Sequence, residues 1–146
     1  MTEVNNQTFS GRCNCGALTF SCSGSPINAV FCYCKACQRH TTSDKFFGLW
    51  FPKDQFHITK GKPITFNRLG DSGKNVVMHF CETCGCDIAG FIEVGNFYSV
   101  AAAALDNNEA LRPKMLIYTD HAKPWAVYPE NVPKYKILPP ELGGNG

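Results

Sequence analysis

Along most of this chain, apolar residues recur at every second position or in short unbroken runs, and seldom at the spacing of a helix face. Leu18, Phe20 and Cys22 alternate with Thr19 and Ser21, the period of a half-buried strand. Further strands are predicted over residues 45–51, 55–59, 64–69, 75–80, 88–93, 97–102 and 115–118. Turn chemistry separates them: Gly24-Ser25-Pro26, Gly61-Lys62-Pro63, Gly70-Asp71-Ser72-Gly73 and Val94-Gly95-Asn96. No amphipathic helix of three turns is visible. The best short helical segments are 35–40 and 105–110. From Pro124 onward the prolines at 129, 133, 139 and 140 point to an extended segment wrapping the body. The pattern predicts an all-β protein with little helix.

Its 146 residues fit one ordinary domain, and an apolar fraction of 44% against 18% charged residues supplies a core. We expect a single zinc-binding β domain over residues 1–142, with Gly143, Gly144, Asn145 and Gly146 as a flexible tail. A net charge of +2 is too small for a nucleic-acid partner or a polybasic membrane surface. The first residues carry neither a basic nor an apolar leader pattern. The longest apolar run, 100–105, is far shorter than the roughly 20 residues of a membrane helix. The expected location is the cytoplasm, with a small-molecule partner and no nucleic acid or membrane.

Nine cysteines carry the chemistry. An odd count cannot pair fully, and in a reducing compartment such thiols serve metals or catalysis. Cys13 and Cys15 stand one residue apart between Gly11 and Gly16, and Cys81 and Cys84 form a Cys-x-x-Cys turn followed by Gly85. Cys32, Cys34 and Cys37 occupy six residues. Zinc takes thiolates tetrahedrally at about 2.3 Å. A Cys-x-x-Cys turn aims two sulfurs to one side, and the glycine after it admits a positive φ.

Two glycine-flanked pairs, Cys13/Cys15 and Cys81/Cys84, make a filled four-thiolate site that staples distant segments. Cys32, Cys34 and Cys37 then leave one coordination position open, as in a catalytic zinc site. The alternative is a second closed site completed by Cys86, Cys22 or His79. Cys22 is in phase with Leu18 and Phe20, which suits a core position. A concave site beside the three-cysteine cluster is expected, with Tyr33, Phe46, Phe47 and Trp50 as its lining or as core. His40, His57, His79 and His121 have no mutual motif spacing.

These motifs, Gly-x-Cys-x-Cys-Gly, Cys-x-Cys-x-x-Cys and Phe-Cys-x-x-Cys-Gly in that order, resemble the family of glutathione-dependent formaldehyde-activating enzyme and centromere protein V. Cys37-Gln38-Arg39 with Thr41 and Thr42, Ser72-Gly73, Pro124-Trp125 and Val132-Pro133 extend the resemblance over roughly residues 10–135. The resemblance implies a β-tent fold of packed antiparallel sheets and two zinc ions. By motif position, Cys13, Cys15, Cys81 and Cys84 take the structural roles, and Cys32, Cys34 and Cys37 the catalytic ones. It also implies glutathione as co-substrate, addition of its thiol to formaldehyde, and classification as a carbon–sulfur lyase. Members commonly have His where this chain has Tyr33, a change beside the ligands rather than in them.

Glutathione is anionic, which makes Lys35 and Arg39, flanking Cys37, candidates for its binding. The rival readings are a zinc-stapled binding module without chemistry, and zinc-dependent hydrolysis or lyase chemistry on another small molecule.

Overall fold

The computed structural model describes residues 7–142; the tail expected over 143–146 lies outside them. The described chain is mostly β, with ten strands and one α-helix. No helix among the described residues is long and apolar enough to cross a membrane. The chain divides into two compact units, one holding residues 7–27 and 49–110, the other 28–48 and 111–142.

In the first unit, β1 (Thr8–Arg12), β2 (Thr19–Ser23) and β5 (Phe56–Lys60) form a three-stranded antiparallel sheet in the order β1-β2-β5. β2 realises the alternation of its sequence: Phe20 and Cys22 are buried between half-exposed Thr19 and Ser21. Sequence patterning missed β1, whose Thr-Phe-Ser-Gly-Arg offers one large apolar side chain. It is a strand because of its partner. Gly11 faces Phe20, and a Cβ there would stand 2.5 Å from the Phe20 ring and 2.6 Å from the Ala104 carbonyl.

The same unit holds a meander of β6 (Ile64–Leu69), β7 (Asn75–Phe80), β8 (Asp87–Ile92) and β9 (Phe97–Ala101), each antiparallel to the next. Ile88, Ala89 and Gly90 are buried consecutively, so β8 is covered on both faces, whereas β6 is exposed almost throughout. Gly24, Gly61 and Gly73 have φ of 78°, 82° and 85° at the predicted turns. The helix expected over 105–110 does not form. Leu105 makes a bridge to Gly11, Asn107 turns left-handed, and the Asn108 amide donates to the carbonyls of Ala102, Ala103 and Leu105. Asparagine side chains compete for backbone groups in this way.

In the second unit, β3 (Asn28–Cys32) leads into α1 (Lys35–Thr41), and β10 (Met115–Ile117) pairs with β3. β4 (Phe46–Pro52) contains the division between the units. β3 was not predicted either. Its pairing with β10 is parallel, a departure from the all-antiparallel expectation, because the long chain between them supplies the crossover that a parallel pair requires. The proline-rich C-terminal segment is extended as expected: Leu116 donates to Pro133 O, and Tyr135 donates to Leu116 O. The buried apolar centre of this unit includes Val30, Tyr33, Leu116 and Ile117.

Candidate functional site

The four thiols of Cys13, Cys15, Cys81 and Cys84 meet in the first unit, all sulfurs within 4.8 Å of one another. The turn after β1 sets the first pair. Cys13 N–H donates to Leu18 O, Gly16 N–H returns to Cys13 O, and Gly16 takes φ 83°. The second pair lies between β7 and β8. Gly85 N–H donates to Cys81 O at 2.8 Å, with Gly85 at φ 76°, the positive φ expected after the knuckle.

Cys13 and Cys15 Sγ are 3.7 Å apart, and Cys15 and Cys81 Sγ 3.8 Å. Four sulfurs about 2.3 Å from a tetrahedral ion would be spaced by roughly 3.8 Å. Leu18 N–H donates to Cys13 Sγ at 3.3 Å, and Thr83 and Cys84 N–H donate to Cys81 Sγ at 3.3 and 3.5 Å. These donors favour thiolates. Burial opposes ionisation of Cys13, yet the Leu18 amide and the neighbouring thiols bring it down to about 6. Cys84 is lowered first by the amides of Cys15 and Cys86. The Ala17 amide works to lower Cys15, but burial and the other sulfurs carry it up to about 11. Four thiols sharing so little space cannot all ionise without a cation, and spacing and donors both fit a divalent metal.

Cys32, Cys34 and Cys37 gather in the second unit, again within 4.8 Å. Cys32 ends β3, and Cys34 is the N-cap of α1, with Sγ accepting from Cys37 N–H at 3.4 Å. The backbone of Tyr33, between two of the thiols, is held at both ends: its N–H donates to Ile117 O, and its carbonyl accepts from Gln38 Nε2 at 2.7 Å. Cys34 and Cys37, then burial, push the Cys32 thiol well above its ordinary range. The crowding that disfavours three thiolates is the condition a metal ion relieves. Among the described residues of this unit, no further Cys, His, Asp or Glu joins the three.

The alternative ligands have their own settings in the first unit. Cys22 is fully buried in β2 and pushed up to about 12 by burial. Cys86 Sγ lies 3.9 Å from Asp87 O, and His79 Nδ1 pairs with Val77 O at 2.9 Å while its ring meets Tyr98.

A cleft of about 240 Å³ opens over α1, lined by Lys35, Gln38, Arg39, Ser43 and Lys123, with no acidic side chain among them. Both cations named from the sequence line it. Lys123 and Ser43 were missed. Lys123 is far away in sequence, and its only local signal was proximity to Pro124-Trp125. The aromatics expected around this site are not in the cleft lining. Tyr33 is completely buried, edge-on to Tyr128 at 5.3 Å. Phe47 packs edge-on to Phe31, and Trp50 stacks on Phe97.

Residues 8–121 match the family model described as glutathione-dependent formaldehyde-activating enzyme, a span containing every cysteine of both clusters. Among solved structures, the crystal structure of a Rhodobacter sphaeroides protein is similar. It is 20% identical and aligned over 71% of this chain and 91% of that chain, with a TM-score of 0.52. At that identity the likeness concerns the fold. No curated protein matches the chain.

Proposed function

The chain belongs to the glutathione-dependent formaldehyde-activating enzyme family, and on that premise we propose that it is a zinc enzyme of the carbon–sulfur lyase class. The reaction joins the thiol of glutathione to formaldehyde or a related small electrophile. The observation that carries the reading is the composition of α1. One seven-residue helix bears Cys37, is capped by Cys34, and presents Lys35, Gln38 and Arg39 to a cleft without acidic groups.

In this reading Cys13, Cys15, Cys81 and Cys84 hold a structural zinc, and Cys32, Cys34 and Cys37 hold the catalytic one. A zinc ion held by these three thiolates would supply Lewis acidity, which would favour the thiolate form of an incoming thiol. Lys35, Arg39 and Lys123 receive the carboxylates of glutathione and orient its sulfur toward the three-cysteine end of the helix. The sulfur lone pair forms the new bond to the carbonyl carbon. The C=O π pair moves to oxygen, which takes up the proton the thiol released. The reverse sequence frees the aldehyde, so the same residues serve both directions. A cytoplasmic location suits nine cysteines of which none is joined in a disulfide.

The test is exchange NMR on glutathione and formaldehyde with the protein present. The expected result is faster interconversion with S-(hydroxymethyl)glutathione than in buffer, lost in Cys34→Ser. Exchange no faster than buffer with a fully metallated protein would overturn the enzyme reading.

A further inference from the structure

Gln38 is a buried polar side chain, 7% exposed, in the one α-helix of the described chain. Its Nε2 donates twice, to Tyr33 O at 2.7 Å and to His121 O at 2.9 Å. Both hydrogens of one amide nitrogen are thereby committed to two segments far apart in sequence. Tyr33 O belongs to the peptide that leads into Cys34, between two of the three clustered thiols. His121 ends a 3₁₀ turn, Thr119–His121, two residues before Lys123. The main chain of Gln38 also fixes the helix: its N–H donates to Cys34 O at 3.0 Å, and its carbonyl accepts from the N–H of the cap residue Thr42.

We infer that Gln38 is a positioning residue: through one buried amide it sets the Cys32–Cys34 thiols and the Lys123 loop against the same helix. Removing the amide takes this donor from the buried Tyr33 carbonyl and the part-buried His121 carbonyl and lets each segment relax on its own. The thiol cluster would then grip its metal less well, and Lys123 would no longer share the cleft with Lys35 and Arg39. The cleft half of this inference rests on the proposed anion-binding role; the thiol half does not.

The experiment uses Gln38→Leu, which cannot donate, and Gln38→Glu, which donates at most once and only when protonated, both close to glutamine in size, with Lys123→Ala as a comparison. Metal retention against a chelator reports on the thiols. Calorimetric binding of S-methylglutathione, whose sulfur is blocked, reports on the cleft. A folded Gln38 variant is expected to lose one of two metal equivalents at about tenfold lower chelator and to bind the probe about tenfold more weakly. Lys123→Ala is expected to weaken the probe and keep both metals. If Lys123→Ala binds the probe as well as wild type, the anion reading of the cleft fails, and metal retention alone decides the role of Gln38. Folded Gln38 variants within twofold of wild type in both measurements would overturn the inference. So would failure of both to fold, which would make Gln38 a determinant of the fold instead.

Discussion

Asp87 is the residue at which burial and chemistry conflict most openly. Both carboxylate oxygens are buried without a well-formed hydrogen bond, and burial raises the group from 3.8 to about 6 against the lowering pull of the Ala89 amide. The folded chain therefore holds this proton more tightly than the unfolded one. Stability contributed by the protonated carboxyl is present below pH 4 and is lost as pH rises through 6. At pH 7 the ionised group costs roughly 3 kcal/mol. Asp87→Asn is expected to be more stable than wild type at pH 7, with the advantage shrinking between pH 6 and 4; paired urea titrations across that range measure it. Gly85 offers a second test. A Cβ there meets nothing within 4 Å, so only its φ of 76° resists substitution. Gly85→Ala should lose about 1 kcal/mol, and Gly85→Asn less, by chemical denaturation.

At the level of elements, α1 combines two duties in Cys34, which caps the helix and contributes a sulfur to the cluster. Serine is a favoured N-cap, so Cys34→Ser separates the two. The serine variant should stay folded and lose one metal equivalent. Cys34→Ala should lose the metal and, in addition, about 1 kcal/mol of stability. β1 makes a different demand, because its Gly11 gives way to the Phe20 ring and the Ala104 carbonyl. Gly11→Ala should destabilise by roughly 2–3 kcal/mol as the overpacked ring is displaced, visible as a lowered thermal midpoint.

For the whole molecule, each compact unit carries one cysteine cluster. We expect two zinc equivalents per chain by elemental analysis under reducing conditions. Chelation should remove them in two phases, the three-thiol site first because it has one fewer protein ligand. Cys84→Ser should destabilise the first unit, since its cluster joins turns whose cysteines stand 66 residues apart. A single chelation phase would contradict this assignment.

Much was already written along the chain. Alternating and unbroken apolar runs marked eight strands, the 35–40 segment marked the helix, and spacing picked out the seven clustered cysteines while leaving Cys22, Cys86 and His79 open as a further ligand. These features are local: a strand's period, a knuckle's glycine and a helix cap each act within a few residues. β1 and β3 escaped because their neighbours make them strands. Residues 105–110 escaped because Asn108 bonds the carbonyls that a helix would have used. Only tertiary pairing brought Cys13 and Cys15 to Cys81 and Cys84, and it alone delivered Lys123 to Lys35 and Arg39. Which loops converge depends on strand register and on buried hydrogen bonds such as those of Gln38. These are long-range contacts that no local pattern encodes.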